Sequence, residues 1–136
     1  MKKIFSTGYA DFSFNLAMFL LRAGFGLLLF YNHGLSKLMN FEERKDSFSD
    51  PLNIGNTNSM MLTIFAEAFC TLLLAIGLLS RLASFVLVVF FIVILFVVHK
   101  DDPIKEKETA LLFLLVFLTT LLCGPGKWSV DNLIGK

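Results

Sequence analysis

Five ionisable residues in an otherwise apolar chain have the side-chain types needed to bind a ligand and transfer protons. They are His33, Lys37, Glu67, His99 and Glu108. A neutral imidazole accepts or donates a proton near pH 7, and burial can raise the pKa of a carboxylate toward that range. The Lys37 ammonium can attract an anionic ligand or stabilise a developing oxyanion. The sequence therefore predicts a proton-transferring site with Glu67, His33 and His99 as candidate catalytic residues and Lys37 and Glu108 as ligand-binding residues.

The spacing of these residues argues against a metal centre. The chain contains no H-x-x-x-H or E-x-x-H segment, the helical spacings that put two ligands on one face. Its two cysteines, Cys70 and Cys123, form no C-x-x-C pair. We therefore predict no metal, no covalently bound cofactor and no thiol redox chemistry within the chain.

The composition indicates that these residues lie in a membrane protein. Hydrophobic residues make up 56% of the chain, which contains 16 Phe, and the mean hydropathy is +0.74, well above ordinary soluble usage. Long apolar runs predict helices at about residues 12–38, 59–80, 82–99 and 103–123. Each is close to the roughly 17–25 residues that cross the hydrocarbon core, and Pro103 suits the first position of the last helix.

These four spans predict an all-α fold, a transmembrane four-helix bundle made of two helical hairpins. Residues 1–136 form one integral-membrane domain with both termini on the same side of the bilayer. Lys and Arg are almost evenly divided between the two sides of the bilayer, so they do not set the orientation. Most of the acidic residues lie in the loops on the side opposite the termini, and on that ground we predict cytoplasmic termini. A net charge of +1 without a basic cluster predicts no nucleic-acid partner. The limited buried area of a small bundle allows a homodimer.

A stripe of basic and small residues marks one face of the first helix. Arg22, Gly26, His33 and Lys37 follow one another at spacings of four, seven and four. Arg22 falls near mid-membrane, where a lone guanidinium is costly, and Glu67 is its expected partner. Two roles stay open for Arg22, a tie between the first two helices and a contribution to ligand binding.

Aromatic residues suggest what such a site would bind. Phe65 and Phe69 flank Glu67, and an aromatic wall beside polar groups suits a flat apolar ring with carbonyl oxygens, such as a quinone head group.

At the opposite end of the bundle we assign structural roles to Arg81, Asp131 and Trp128. An Arg81–Asp131 ion pair and an interfacial Trp explain that end without chemistry.

Motifs along almost the whole chain resemble those of the DoxX family. They are Asn32-His33-Gly34 with Lys37, Asp50-Pro51-Leu52-Asn53-Ile54-Gly55, Phe65-Ala66-Glu67, Gly77-Leu78 with Arg81, and Gly124-Pro125-Gly126-Lys127-Trp128-Ser129 with Asp131. The resemblance implies a small four-helix protein of the inner (cytoplasmic) membrane. It also implies redox work, because similar proteins belong to an archaeal thiosulfate to quinone oxidoreductase and to a mycobacterial membrane assembly with superoxide dismutase and a sulfurtransferase.

The leading functional interpretation is a membrane subunit of a quinone-linked redox system. A quinone-like or other small ligand would bind in the polar layer between the helices. A second interpretation is a non-catalytic scaffold that anchors soluble redox enzymes through the loop at residues 40–59 or the tail at residues 127–136. A third is a small transporter or proton pathway that uses the same polar layer.

Overall fold

A computed structural model describes residues 4–135, and every regular element in that part of the chain is a helix. The helices are α1 (Asp11–Met39), α2 (Phe41–Arg44), α3 (Asn56–Ile76), α4 (Ser80–Val98), α5 (Ile104–Cys123) and α6 (Val130–Ile134). Three of them, α1, α3 and α4, are long and apolar enough to cross a membrane, with 29, 21 and 19 residues. The predicted all-α membrane class is confirmed, whereas a fourth membrane span remains a prediction. The 20-residue α5 begins with a charged segment at residues 105–108.

The turn between α3 and α4 begins earlier in the chain than the sequence suggested. Instead of continuing to residue 80, α3 ends at Ile76, because Gly77 adopts a left-handed conformation with φ of 81°. The Leu78 amide then donates to the Leu73 carbonyl at 2.8 Å, which closes the helix end. The short connection places α3 and α4 side by side and antiparallel.

Each of the three long apolar helices contains π-helical turns. They are Leu20–Gly24 and Phe30–Gly34 in α1, Phe65–Cys70 in α3, and Ile94–Val98 in α4. A π turn inserts an extra residue and rotates the following side chains around the helix axis. In α1 the buried positions consequently advance by five residues, from Leu29 to Gly34. The predicted single stripe therefore breaks at His33, whose side chain is 46% exposed while Gly34 faces inward.

The core contains residues of all four long helices, and an aromatic cluster within it joins α4 to α5. Phe91, Phe113 and Phe117 are buried and stack on one another with ring centroids 5.5–5.9 Å apart. A buried hydrogen bond of 2.9 Å joins the hydroxyls of Ser84 and Thr120 across the same interface. These contacts fix the relative position of the two helices that form one wall of the site described below.

Small residues bring α1 close to α3. A Cβ atom at Gly34 would overlap the backbone of Glu67, and one at Gly26 would lie 3.1 Å from the Thr71 carbonyl oxygen. Glycine permits this close approach in a membrane, where helices associate by packing rather than by the hydrophobic effect. On its other side α1 reaches α5, where Phe25 packs edge-on against Phe113 at 5.7 Å. The four long helices thereby surround one interior.

Candidate functional site

A buried ion pair between α1 and α3 is the centre of the candidate site. Lys37 Nζ donates to Glu67 Oε1 at 2.6 Å, and the two side chains are 17% and 4% exposed. His33 Nδ1 lies 4.0 Å from the other carboxylate oxygen, Oε2. The close helix approach at Gly34 positions these groups, since Gly34 packs directly on the backbone of Glu67. Two opposite charges thus compensate each other between the helices, where a single charge would be costly.

The predicted Arg22–Glu67 pair is wrong. Arg22 is 1% exposed and donates to the carbonyl oxygens of Pro125 at 2.5 Å and Trp128 at 2.7 Å. The helices α1 and α3 are antiparallel. The part of α1 that contains Arg22 therefore lies beside the end of α3 near Gly77, not beside Glu67. A Cβ at Gly77 would indeed lie 3.2 Å from Arg22 Cζ. Arg22 therefore ties α1 to the C-terminal segment, away from Glu67.

The Lys37–Glu67 pair lies in the wall of a cavity of about 550 Å³, on the side away from Arg22. Its volume lies within the range of small-molecule pockets, roughly 300–1,000 Å³. The walls come from α1, α3, α4, α5 and the segment at residues 48–54, and they are largely apolar. The ionisable side chains that line it are His33, Lys37, Glu67, His99 and Glu106. Four of the five residues predicted for the polar layer thus border the same cavity.

The fifth predicted residue, Glu108, lies outside the cavity. Its side chain is exposed, and the carboxylate of α5 that lines the cavity belongs to Glu106. The inward face of α5 contains Glu106, Ala110, Phe113 and Phe117, at helical spacings of four, three and four. A residue two positions after Glu106 points away from this face. That spacing, present in the sequence, is the signal that identifies Glu106.

The aromatic wall differs from the predicted one. Phe65 lines the cavity, but Phe69 does not; it stacks on Phe65 at 5.6 Å and is 55% exposed. The wall is completed by Phe90, Phe91 and Phe113 from α4 and α5. Sequence reasoning missed these residues because a Phe-rich apolar run does not distinguish lipid-facing from cavity-facing positions.

His99 lies just after the end of α4, at the rim of the cavity. Its Nδ1 is 2.7 Å from Asp102 Oδ2, and the two side chains are 46% and 39% exposed. A carboxylate that hydrogen-bonds one ring nitrogen fixes the orientation of the imidazole and leaves Nε2 available to another partner. His99 is thus held at the rim with one nitrogen already occupied.

The segment before α3 folds over the end of the cavity and is held by Asp50. Its carboxylate accepts hydrogen bonds from the Ser59 hydroxyl at 2.8 Å and from the Ile54 and Gly55 amides at 2.9 Å. The Ser59 hydrogen bond, aided by the amides and opposed by desolvation, lowers the pKa of Asp50. Pro51 and Ile54 from this segment line the cavity. Asp50 therefore determines the shape of one cavity wall without lining it.

The opposite end of the bundle is held together by a second set of contacts. Asp131 accepts hydrogen bonds from the amides of Leu79 at 2.7 Å and Ser80 at 2.8 Å. Burial opposes ionisation of Asp131, but these hydrogen bonds lower its pKa overall. The predicted Arg81–Asp131 pair is wrong. Asp131 instead caps the free amides that begin α4. Arg81 donates to the Leu121 carbonyl at 3.4 Å. Trp128 packs edge-on against Phe12 at 5.4 Å.

A family model described as DoxX matches residues 17–100, more than half of the chain. The matched range includes Lys37, Glu67 and His99. No curated protein and no solved structure matches the chain. The chain therefore belongs to the DoxX family of membrane proteins.

Proposed function

We propose that this protein is an inner-membrane component of a redox system and that it binds a quinone-like ligand in the cavity beside the Lys37–Glu67 pair. The observation that carries the proposal is this buried ion pair in the wall of an otherwise apolar cavity of about 550 Å³. Ligand sites commonly combine an apolar, aromatic lining with a few polar groups that orient the ligand.

The residues around the cavity fit such a ligand. A flat apolar ring matches the aromatic lining from Phe90, Phe91 and Phe113. Lys37 uses one of its three N–H donors on Glu67, which leaves two for a carbonyl oxygen. A bound quinone would supply the two-electron chemistry; the chain itself supplies binding, orientation and protons.

Proton delivery would depend on the polar side chains at the cavity. Glu67 and His33 are close enough, at 4.0 Å between Oε2 and Nδ1, for a proton to move between them through a small rearrangement. His33 is half-exposed, so it also communicates with solvent. Glu67 accepts the Lys37 hydrogen bond through Oε1, which leaves Oε2 on the side of His33.

The same proposal includes the membrane arrangement. We place four spans in the bilayer, α5 included, with both termini on the cytoplasmic side. Support comes from contacts between the first and last segments, where the Lys127 amide donates to Asn15 Oδ1 at 2.9 Å and Phe12 packs against Trp128. Contacts of this kind are expected when the first and last segments lie at the same end of the bundle.

The test is equilibrium binding of a short-chain benzoquinone to the purified protein in lipid nanodiscs. We expect saturable binding by the wild type and a loss of about tenfold or more in Glu67→Gln, since a charged hydrogen-bonding group at the site is removed. Glu108→Gln is the matched control, because it removes an exposed carboxylate outside the cavity. Equal binding by wild type and Glu67→Gln would refute the proposal.

The other two interpretations predict different outcomes of the same work. An anchoring protein would show no saturable quinone binding and would lose its soluble partners when residues 40–59 or the tail at 127–136 are altered. A transporter or proton pathway would give ion flux in liposomes that depends on Glu67. Under any of these interpretations, a homodimer would appear as a species of twice the mass of the single chain.

A further inference from the structure

The short helix α6 exposes its apolar side chains and turns its polar ones toward the protein. Leu133 and Ile134 are 72% and 68% exposed. Asp131 binds the first amides of α4, and the Asn132 side chain donates to the Lys127 carbonyl at 3.0 Å. A helix that packs on a protein in water has the opposite arrangement, with its apolar face inward. The outer side of α6 therefore suits an apolar environment.

The short helix α2, at the other end of the bundle, has the arrangement expected in water. Its charged residues Glu42, Glu43 and Arg44 are exposed, whereas Phe41 is half-buried. Helices of four and five residues thus have opposite polarity at the two ends of one molecule. Exposure of apolar residues in α6 is therefore not a general property of the short helices in this fold.

Three hydrogen bonds fix α6 at the turn between α3 and α4. The Asp131 carboxylate accepts from the Leu79 and Ser80 amides, and the Asp131 amide donates to the Gly77 carbonyl at 2.8 Å. This turn joins two helices that are long and apolar enough to cross a membrane, so both spans end there. The ends of membrane spans lie at the headgroup layer. The hydrogen bonds therefore hold α6 at the level of the lipid headgroups.

The chain before α1 adds further apolar side chains at this end. Phe5 and Tyr9 are 80% and 78% exposed. Trp128, also exposed, lies three residues before Asp131. Trp and Tyr are the residues most enriched where a bilayer meets water. Both terminal segments thus present side chains typical of that boundary.

We infer that Phe5, Tyr9, Trp128, Leu133 and Ile134 form a surface that inserts into the headgroup layer of the bilayer. We call it the terminal surface. Its partner is lipid, and Leu133 and Ile134 reach the boundary between headgroups and acyl chains. The inference goes beyond the proposed function and does not depend on a quinone ligand.

Continuity with the first span favours lipid over a protein partner. Phe12 and Phe19 are exposed on α1, and both pack edge-on against Trp128, at 5.4 and 6.1 Å. The bilayer that surrounds α1 therefore reaches Trp128 as well. A tail at residues 127–136 that is covered by lipid is not available to soluble enzymes. For an anchoring protein, this leaves the loop at residues 40–59 as the docking surface.

The experiment measures the surroundings of a single tryptophan in nanodiscs. Trp128 is the only tryptophan of the chain, so Trp128→Phe gives a background in which Leu133→Trp is the sole reporter. Lipids brominated on the acyl carbons nearest the headgroup quench a tryptophan that touches them, whereas iodide quenches one in water. We expect brominated lipid to remove about half of the Leu133→Trp emission and iodide to have little effect. Glu43→Trp in the same background, on the exposed helix α2, is the matched control and should show the reverse.

Two other results would overturn the inference. Quenching of Leu133→Trp by iodide rather than by lipid would place α6 in water. Protection from both quenchers would mean that protein, such as a second copy of the chain, covers α6. Ile134→Trp and Tyr9→Trp repeat the measurement at neighbouring positions, and a thermal unfolding scan identifies any variant that misfolds. Trp128 of the wild type gives a reading without any substitution, and it should likewise be quenched by lipid.

Discussion

At the residue scale, the Lys37–Glu67 pair shows how a charge is tolerated inside an apolar bundle. Glu67 is buried, Lys37 is largely buried, and each is the charge partner of the other at 2.6 Å. Removing one partner leaves the other as an uncompensated charge, whereas removing both leaves an apolar contact. The contribution of each residue to the free energy of unfolding therefore depends on the presence of the other.

This argument predicts a strong coupling in a double-mutant cycle. We expect Lys37→Met to lower the free energy of unfolding by about 3–5 kcal/mol, and Glu67→Met by a similar amount. The double variant should lose clearly less than the sum of the two. Unfolding of the detergent-solubilised protein by denaturant measures all three.

The exposed ion pair between Glu42 and Lys45 is the control for this cycle. Its N–O distance is 3.0 Å, but the Glu42 side chain is 80% exposed, so water competes with the interaction. Replacing Lys45 by Met should leave the unfolding free energy nearly unchanged. Additive effects at Lys37 and Glu67 would contradict the account of a compensated buried pair.

At the element scale, the approach of α1 to α3 depends on glycine at one position. A side chain at Gly34 would overlap the backbone of Glu67, whereas nothing lies within 4 Å of a Cβ at Gly24. We expect Gly34→Ala to destabilise the protein by about 1–3 kcal/mol, because the helices must separate. It should also lengthen the Lys37–Glu67 contact and weaken quinone binding.

Gly24→Ala provides the comparison within the same helix. Alanine favours helix formation over glycine, so this change should be neutral or stabilising by up to about 1 kcal/mol. Thermal unfolding of both variants in the same detergent checks the difference. Similar effects at the two positions would mean that helix propensity, not packing against α3, sets the requirement for glycine.

The Asp50 segment predicts a dependence of local structure on pH. Hydrogen bonds lower the pKa of Asp50 below its ordinary value of 3.8, so its contribution to stability is present above 3.8 and is lost as the pH falls through the lower, folded-state pKa. Hydrogen exchange should find the Ile54 and Gly55 amides protected at neutral pH and much less so in Asp50→Asn. As acid protonates Asp50, the wild type should approach the variant. Asp46→Asn, an exposed acid of the same loop, should leave these amides unchanged.

Sequence reasoning reached the elements more reliably than the contacts between them. Uninterrupted apolar runs define where the long helices lie, and the positions of His33, Lys37, Glu67 and His99 at one end follow from counting along those runs. The π turns do not follow, because no local pattern signals an inserted residue. Their effect is visible in α1, where Gly34 takes the buried position against α3 and the His33 side chain is left half-exposed at the edge of that contact.

At the scale of the whole molecule, the two ends of the bundle have separate tasks. Arg22 and Asp131 hold the terminal end together through backbone groups. The loop end contains the cavity and the Lys37–Glu67 pair. The partners of Arg22 could not be predicted from the sequence, because carbonyl oxygens are present at every residue and only the fold selects those of Pro125 and Trp128.

This division predicts that changes at Arg22 alter stability more than ligand binding. Arg22→Lys removes the planar group that reaches two carbonyls at once, so we expect a loss of about 1–3 kcal/mol in unfolding free energy. Arg81→Lys, at an exposed arginine near the same end, should have little effect. Quinone affinity of the folded Arg22→Lys protein should match wild type; a loss comparable to that of Glu67→Gln would place Arg22 in the site after all.

The most direct test of the central claim is to map where a ligand binds. An azido-benzoquinone with an alkyl chain, photolysed with the protein in nanodiscs and followed by peptide mass spectrometry, reports the contacting residues. We predict labelling of residues 62–67 and 89–94 that excess unlabelled quinone abolishes. Labelling spread over lipid-facing positions, or labelling that competitor does not reduce, would contradict the assignment of this cavity as a ligand site.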